Sequence, residues 1–340
     1  MTEDGAYVHG GGLDAAIARF GGSRADWLDL STGINPSPVA LPELDPEVWA
    51  RLPDAGLQAR CIEEARGAYG APEEAGIVAA PGSQALISLL PFLLPRGEVA
   101  ILEPTYGEHR ASFEAGGHRV SGVETIADLT DGAQVVVVVN PNNPDGRRTE
   151  RPALVALLGE MRRRGGLLVV DEAFADAASD LSIADMAGEP GLLIHRSFGK
   201  FYGLAGVRLG FALTTPALAG NLARRLGPWA VSGPALAIGA AVLSSETVRE
   251  RIAGEVQAQA QLRNRVLAEA RFNLVGETPL FATVETSGAG AVFEALCRRQ
   301  ILTRPFAYRP NWLRFGNPKD ETEAARLAGA LADTARERRP

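Results

Sequence analysis

The sequence predicts an α/β protein, with a large domain on a mostly parallel sheet and a smaller α+β domain. Three observations predict it. Up to Pro234, short apolar runs alternate with helix-period segments. One of those runs, Val135 to Val139, is a stretch of valines, apolar on both faces as a strand covered by helices must be. After Pro234 the texture changes to long Ala/Glu/Arg-rich stretches. The expected division is therefore 35–234 for the large domain, with 1–34 and 235–340 forming the small one.

The candidate strands, in order, are Ile77 to Ala80, Val99 to Leu102, Val135 to Val139, Leu167 to Val170, Leu192 to His195 and Val207 to Leu213. Helices are expected at Gln84 to Leu94, Pro152 to Arg164 and Leu218 to Arg225, the second stopped by Gly165 and Gly166. The Arg162-Arg163-Arg164 run falls in the last turn of that helix, where basic residues offset the helix dipole, so it is not read as an anion site. Ala235 to Ala270 reads as helical, and Phe281 to Thr286 and Trp312 to Phe315 as strands. No repeat or low-complexity linker interrupts the chain.

Composition narrows the function classes. With 340 residues, 46% of them hydrophobic, the chain can bury a substantial core. A net charge of -7 argues against general affinity for nucleic acid or an anionic membrane. The two cysteines, Cys61 and Cys297, match no zinc or redox spacing, so no metal is expected and a reducing cytoplasm fits. Glu3 and Asp4 stand where a secretory signal would carry basic residues, and no apolar stretch reaches membrane-spanning length.

The chemistry collects at the expected C-terminal ends of the strands, where open parallel sheets place ligands. The most informative stretch is Ser197-Phe198-Gly199-Lys200, with Arg208 behind it. A hydroxyl and a guanidinium can neutralise a phosphate while the lysine amine condenses with a carbonyl, as pyridoxal 5'-phosphate requires; by itself the run also fits a solvated lysine beside a turn. Gly82-Ser83-Gln84, opening a helix, suits either an anion site or an ordinary helix start. Asn140-Pro141-Asn142-Asn143-Pro144 is rigid, because each proline also constrains its predecessor, and the Asn143 amide can bond a phenolate oxygen. Asp171, at the mouth of an apolar strand, suits a protonated pyridine nitrogen or else a salt bridge or cap. Tyr106 can stack on an aromatic cofactor or anchor a loop.

Together these motifs resemble the fold-type I pyridoxal-phosphate enzymes, in the subgroup that contains histidinol-phosphate aminotransferase, over most of the chain. The resemblance implies Lys200 as the Schiff-base lysine, Asp171 on the pyridine nitrogen and Asn143 on the phenolate. It implies Tyr106 stacked on the ring, and Gly82, Ser83, Gln84, Ser197 and Arg208 around the cofactor, with the serines and Arg208 on its phosphate. Arg314, in Trp312-Leu313-Arg314-Phe315, is implied as the ligand of the substrate α-carboxylate, a task suited to a bidentate guanidinium.

Within the subgroup, His9-Gly10-Gly11, Leu30-Ser31-Thr32-Gly33-Ile34-Asn35-Pro36, Phe174 and Gly227-Pro228-Trp229-Ala230-Val231-Ser232 are most similar to the threonine-phosphate decarboxylase family of cobalamin biosynthesis. That similarity implies a phosphorylated amino acid substrate, L-threonine O-3-phosphate, bound by the Gly33-Ile34-Asn35 loop, with His9, Asn35 and an arginine of the C-terminal region as candidates for its phosphate. It also implies a homodimer. Two positions depart from the pattern: Leu52 where relatives often place a tyrosine reaching the neighbouring subunit, and Asp145 where threonine is common. An aminotransferase acting on histidinol phosphate or a related amino acid shares nearly every cofactor residue and stays open. A DNA-binding regulator is disfavoured by the short segment before the first motif, and a dinucleotide-binding dehydrogenase by the lack of G-x-G-x-x-G after the first strand.

Overall fold

The computed structural model describes residues 10–337, which divide by their contacts into two units. The larger comprises Pro38–Asn143 and Arg147–Ala253. Its sheet has seven strands: β1 (Gly76–Ala80), β2 (Glu98–Leu102), β3 (Arg119–Val123), β4 (Val135–Val139), β5 (Leu167–Asp171), β6 (Leu192–Ser197) and β7 (Gly210–Thr214). They lie in the order β1-β7-β6-β5-β4-β2-β3. Strand β7 is antiparallel to both its neighbours, and every other neighbouring pair is parallel.

The five valines of β4 are all buried, as a β-branched run covered on both faces should be. On one sheet face Val78, Ile101, Val137, Val169, Leu193 and Ala212 pack with Leu86, Leu90 and Phe113 from the covering helices. Each such Leu or Phe removed from water contributes about 1.5–3 kcal/mol.

Several element boundaries differ from the sequence expectation, each for a local reason. The run from Val207 does not begin as strand: Ala205–Val207 is a 3-10 turn and Arg208 is left-handed (φ 56°), so β7 starts only at Gly210. The helix at 84 begins at Ser83, ends at Leu89 and tightens to a 3-10 turn over Leu90–Leu93, where Pro91 offers no N–H. Strand β3 carries no apolar run because it is an edge strand, mostly exposed. The helical stretch after Pro234 breaks at Ser244 and Ser245 into Gly233–Leu243 and Glu246–Glu269.

Of the described residues, the smaller unit takes 10–37, Pro144–Gly146 and 254–337. Its antiparallel sheet contains β8 (Asn273–Thr278), β9 (Phe281–Glu285), β10 (Arg304–Phe306) and β11 (Arg309–Gly316), in the order β10-β11-β9-β8. A short parallel bridge joins Leu28–Asp29 to Ile301–Leu302. Leu30, Val284, Phe293, Leu296, Phe315 and Leu327 share its core. The sequence texture suggested a change at 234/235, whereas the contacts divide at 253/254. The helix Gly233–Leu243 is almost wholly buried and packs on Ala55–Tyr69 of the larger unit, with Gly239 admitting Leu209 and Cys61.

Candidate active site

In the larger unit one edge of the sheet gathers the expected cofactor residues. Parallel strands β1, β2, β4, β5 and β6 end there, and they are followed by Gly82-Ser83-Gln84, Tyr106, Asn140 to Asn143, Asp171 itself, and Ser197 with Lys200. Arg208 comes to the same edge because β7 runs antiparallel, so that its start faces the ends of the others.

The backbone makes a cradle at this edge. Gly82 is left-handed (φ +83°), and a Cβ there would stand 2.7 Å from Nη2 of Arg208. A Cβ on Gly210 would stand 2.3 Å from the Ser83 nitrogen, so only glycines let strand, loop and guanidinium meet. Arg208 Nη1 donates to the Ala205 carbonyl at 3.1 Å, which fixes the fork beside the first turn of the Ser83–Leu89 helix. First-turn N–H groups, a serine hydroxyl and a guanidinium together suit a phosphate.

Asp171 is buried at the end of β5. Its Oδ2 lies 2.9 Å from Nε2 of His109, and its Oδ1 accepts the Ala173 N–H at 3.0 Å. Burial, the strongest single influence, pushes the carboxyl up, but the His109 bond and charge, His195 and the Ala173 amide together hold it below the ordinary range. The result is a carboxylate kept ionised in an apolar setting. His109 was absent from the sequence expectation. It occupies the helix Glu108–Ala115 after β2, and its only trace in the sequence is a histidine three residues beyond Tyr106.

Tyr106 donates its hydroxyl to Gln84 Oε1 at 2.9 Å and meets His109 edge-on. Gln84 also donates to Ser88 Oγ and to Glu108 Oε2, so its amide orients Tyr106. Around Asn143 the loop is pinned: Asn142 donates to the Pro104 carbonyl at 2.8 Å and accepts from Thr105, while Asn140 exchanges two 2.9 Å bonds with Thr149. Lys200 lies on the short helix Phe198–Phe201, its Nζ 5.6 Å from the centre of the Phe174 ring. Glu172, next to Asp171 in sequence, is fully buried and bonded by Arg196 (2.7 Å) and Ser182 (2.6 Å).

The smaller unit holds the expected substrate residues. Asn35 is buried, its Oδ1 accepting the Ser37 N–H at 2.9 Å, with Gly33 buried and Ile34 half-buried beside it. Arg314, on β11, is buried and donates from Nη2 to the Ser31 carbonyl at 2.9 Å, so it is tied to the loop that carries Gly33 to Asn35. It stands directly opposite Arg304 of β10. Burial, reinforced by Arg304, pushes Arg314 down to about 9. Like charges opposed across a sheet are destabilising, and an anion relieves them. Arg304 was not singled out from the sequence, because strand register brings it there. His9 lies outside the described residues.

The donor set fits pyridoxal phosphate. Gly82, Ser83, Ser197 and Arg208 can hold the phosphate, Asp171 can face a protonated ring nitrogen, Asn143 can meet the phenolate, and Lys200 supplies the amine. Among the described residues no group of histidine, cysteine and carboxylate side chains could hold a metal ion.

Comparison with known proteins agrees with this geometry. A Sinorhizobium protein named threonine-phosphate decarboxylase is 46% identical over 330 residues, 96% of this chain and 97% of that protein. A Pseudomonas aeruginosa protein of the same name is 41% identical over 328 residues, 95% of this chain and 96% of that protein. Among solved structures, the histidinol-phosphate aminotransferase of Sinorhizobium meliloti in complex with pyridoxal-5'-phosphate has the same fold, with a TM-score of 0.81 at 19% identity over 96% of this chain and 94% of that one. The model of aminotransferase class I and II matches residues 26–331, and the chain belongs to that family.

Proposed function

We propose that this protein is a pyridoxal-phosphate-dependent carbon–carbon lyase that decarboxylates L-threonine O-3-phosphate to (R)-1-amino-2-propanol O-2-phosphate and CO2, in cobalamin biosynthesis. The observation that carries the reading is the near-full-length similarity to two threonine-phosphate decarboxylases. The opposed arginines Arg304 and Arg314 support the substrate class, since threonine phosphate brings two anionic groups.

Bound pyridoxal phosphate supplies an electron-accepting ring conjugated to the amino acid's Cα. The chain's residues determine which bond breaks. Arg314, fixed by the Ser31 carbonyl, would grip the α-carboxylate, and a hold on that group favours loss of CO2 over loss of a proton. Arg304 would take the substrate phosphate, with Asn35. Asp171 keeps its negative charge toward the ring nitrogen, with His109 bonded behind it. Lys200 would supply the amine that holds the cofactor. Phe174 brings no hydroxyl, so Asn143 is the group that meets the phenolate.

The active form is a homodimer in the cytoplasm. Supporting the dimer, Leu41, Trp49, Leu52 and Trp229 of the larger unit are large apolar side chains that are 60%, 69%, 62% and 55% exposed. Trp49 and Trp229 flank adjoining segments, since Gly233 packs against the Val48 carbonyl. No helix among the described residues is long and apolar enough to cross a membrane.

The test offers the purified holoenzyme two substrates. Threonine phosphate without a keto acid should give aminopropanol phosphate; amino transfer from histidinol phosphate to 2-oxoglutarate, with no turnover of threonine phosphate, would sink the reading.

A further inference from the structure

His195 lies within β6, fully buried, and neither Nδ1 nor Nε2 has a hydrogen-bond partner among the described residues. It is an unexpected residue for that place. Val169, Leu193 and Ala212 on the neighbouring positions of the same sheet face are core residues, and a leucine at 195 would continue them. Burying an imidazole without partners costs stability, and native proteins resolve such cases with an ordered water or a functional role.

The neighbours indicate which role. His195 is in register with Asp171 on the adjacent strand, and its ring centre is 6.2 Å from that of His109, tilted by 39°. His109 in turn bonds Asp171 at 2.9 Å. At that spacing, ring nitrogens that face each other are within the reach of one water making two bonds of ordinary length. Burial pushes His195 down to about 4 in spite of the Asp171 charge, so at neutral pH it offers one N–H and one acceptor.

We propose that His195 is a positioning residue that, through one buried water, bonds the ring of His109 and holds it in the orientation that donates to Asp171. The positioning itself needs no cofactor; only its effect on turnover rests on the reading of Asp171 as the partner of the ring nitrogen.

The test compares His195→Leu with His195→Asn, which keeps a polar group for the water. With 15N-labelled histidine in the cofactor-free protein, the His109 Nε2 proton should exchange about tenfold faster in the leucine variant, the loss of roughly one hydrogen bond, and return toward the native rate in the asparagine variant. A crystal structure of the holoenzyme should show a water bonded to both His195 and His109. In the holoenzyme the leucine variant should lose about tenfold in kcat with KM unchanged. Native exchange of the His109 proton in the leucine variant, or the lack of a bridging water, would overturn the proposal. Faster exchange with unaltered kcat would uphold the positioning role and count against the cofactor role of Asp171.

Discussion

At the scale of single residues, the proposed chemistry centres on Asp171. A buried carboxylate survives as an anion because His109 and the Ala173 amide more than offset its burial. Its folded pKa lies below the ordinary value of 3.8, so its contribution to stability is fully present above that value and is lost as pH falls through the lower folded value. Asp171→Asn should therefore be less stable than the native protein at pH 7, with the gap in chemical denaturation closing in strong acid. The same variant should lose on the order of 10²–10³ in kcat, the range for removing one preorganised electrostatic partner. Arg314 works in the opposite sense. Its value, pushed down to about 9, means that the buried charge weighs against folding at neutral pH and that stability from this group rises as pH passes upward through 9. Arg314→Gln should raise KM for threonine phosphate at least about tenfold, the scale of a lost charge-assisted bond, without lowering the melting temperature. Arg304→Gln should weaken binding of threonine phosphate far more than of unphosphorylated threonine; equal weakening in competition assays would remove Arg304 from the phosphate.

At the scale of elements, much of the site was legible because a parallel sheet turns sequence order into geometry. Strand-like runs followed by Gly82-Ser83, Tyr106, Asn143, Asp171 and Lys200 had to bring these residues to one edge. What stayed hidden depends on strand direction, register and tertiary packing. The valine-rich texture does not reveal that β7 is antiparallel, yet that reversal delivers Arg208. Nor does local patterning place Arg304 opposite Arg314, or bring His109 to Asp171. The cradle gives a sharp element-level prediction. Gly82→Ala adds a Cβ at 2.7 Å from Arg208 in a left-handed backbone, so cofactor affinity measured by absorbance titration should fall at least about tenfold, while the fold loses only about 1–2 kcal/mol.

For the molecule as a whole, the proposed assembly rests on the exposed apolar side chains of the larger unit. The departure at Leu52, where relatives often carry a tyrosine, leaves an apolar side chain 62% exposed beside the still more exposed Trp49. Trp49→Glu combined with Leu52→Glu should convert the proposed dimer to monomer in sedimentation experiments while each chain stays folded. A native monomer would remove the proposed assembly. The two-unit division was legible only in outline, since the apolar, Ala-rich helix Gly233–Leu243 begins where the texture changes but packs within the larger unit.

The most direct measurement follows carbon. Holoenzyme supplied with L-threonine O-3-phosphate labelled at the carboxyl carbon, with no keto acid present, should release labelled CO2 in equal amount with aminopropanol phosphate. Lys200→Ala should release none and lack the absorbance of lysine-bound cofactor. Retention of the label in a keto acid or in unreacted substrate would contradict the account.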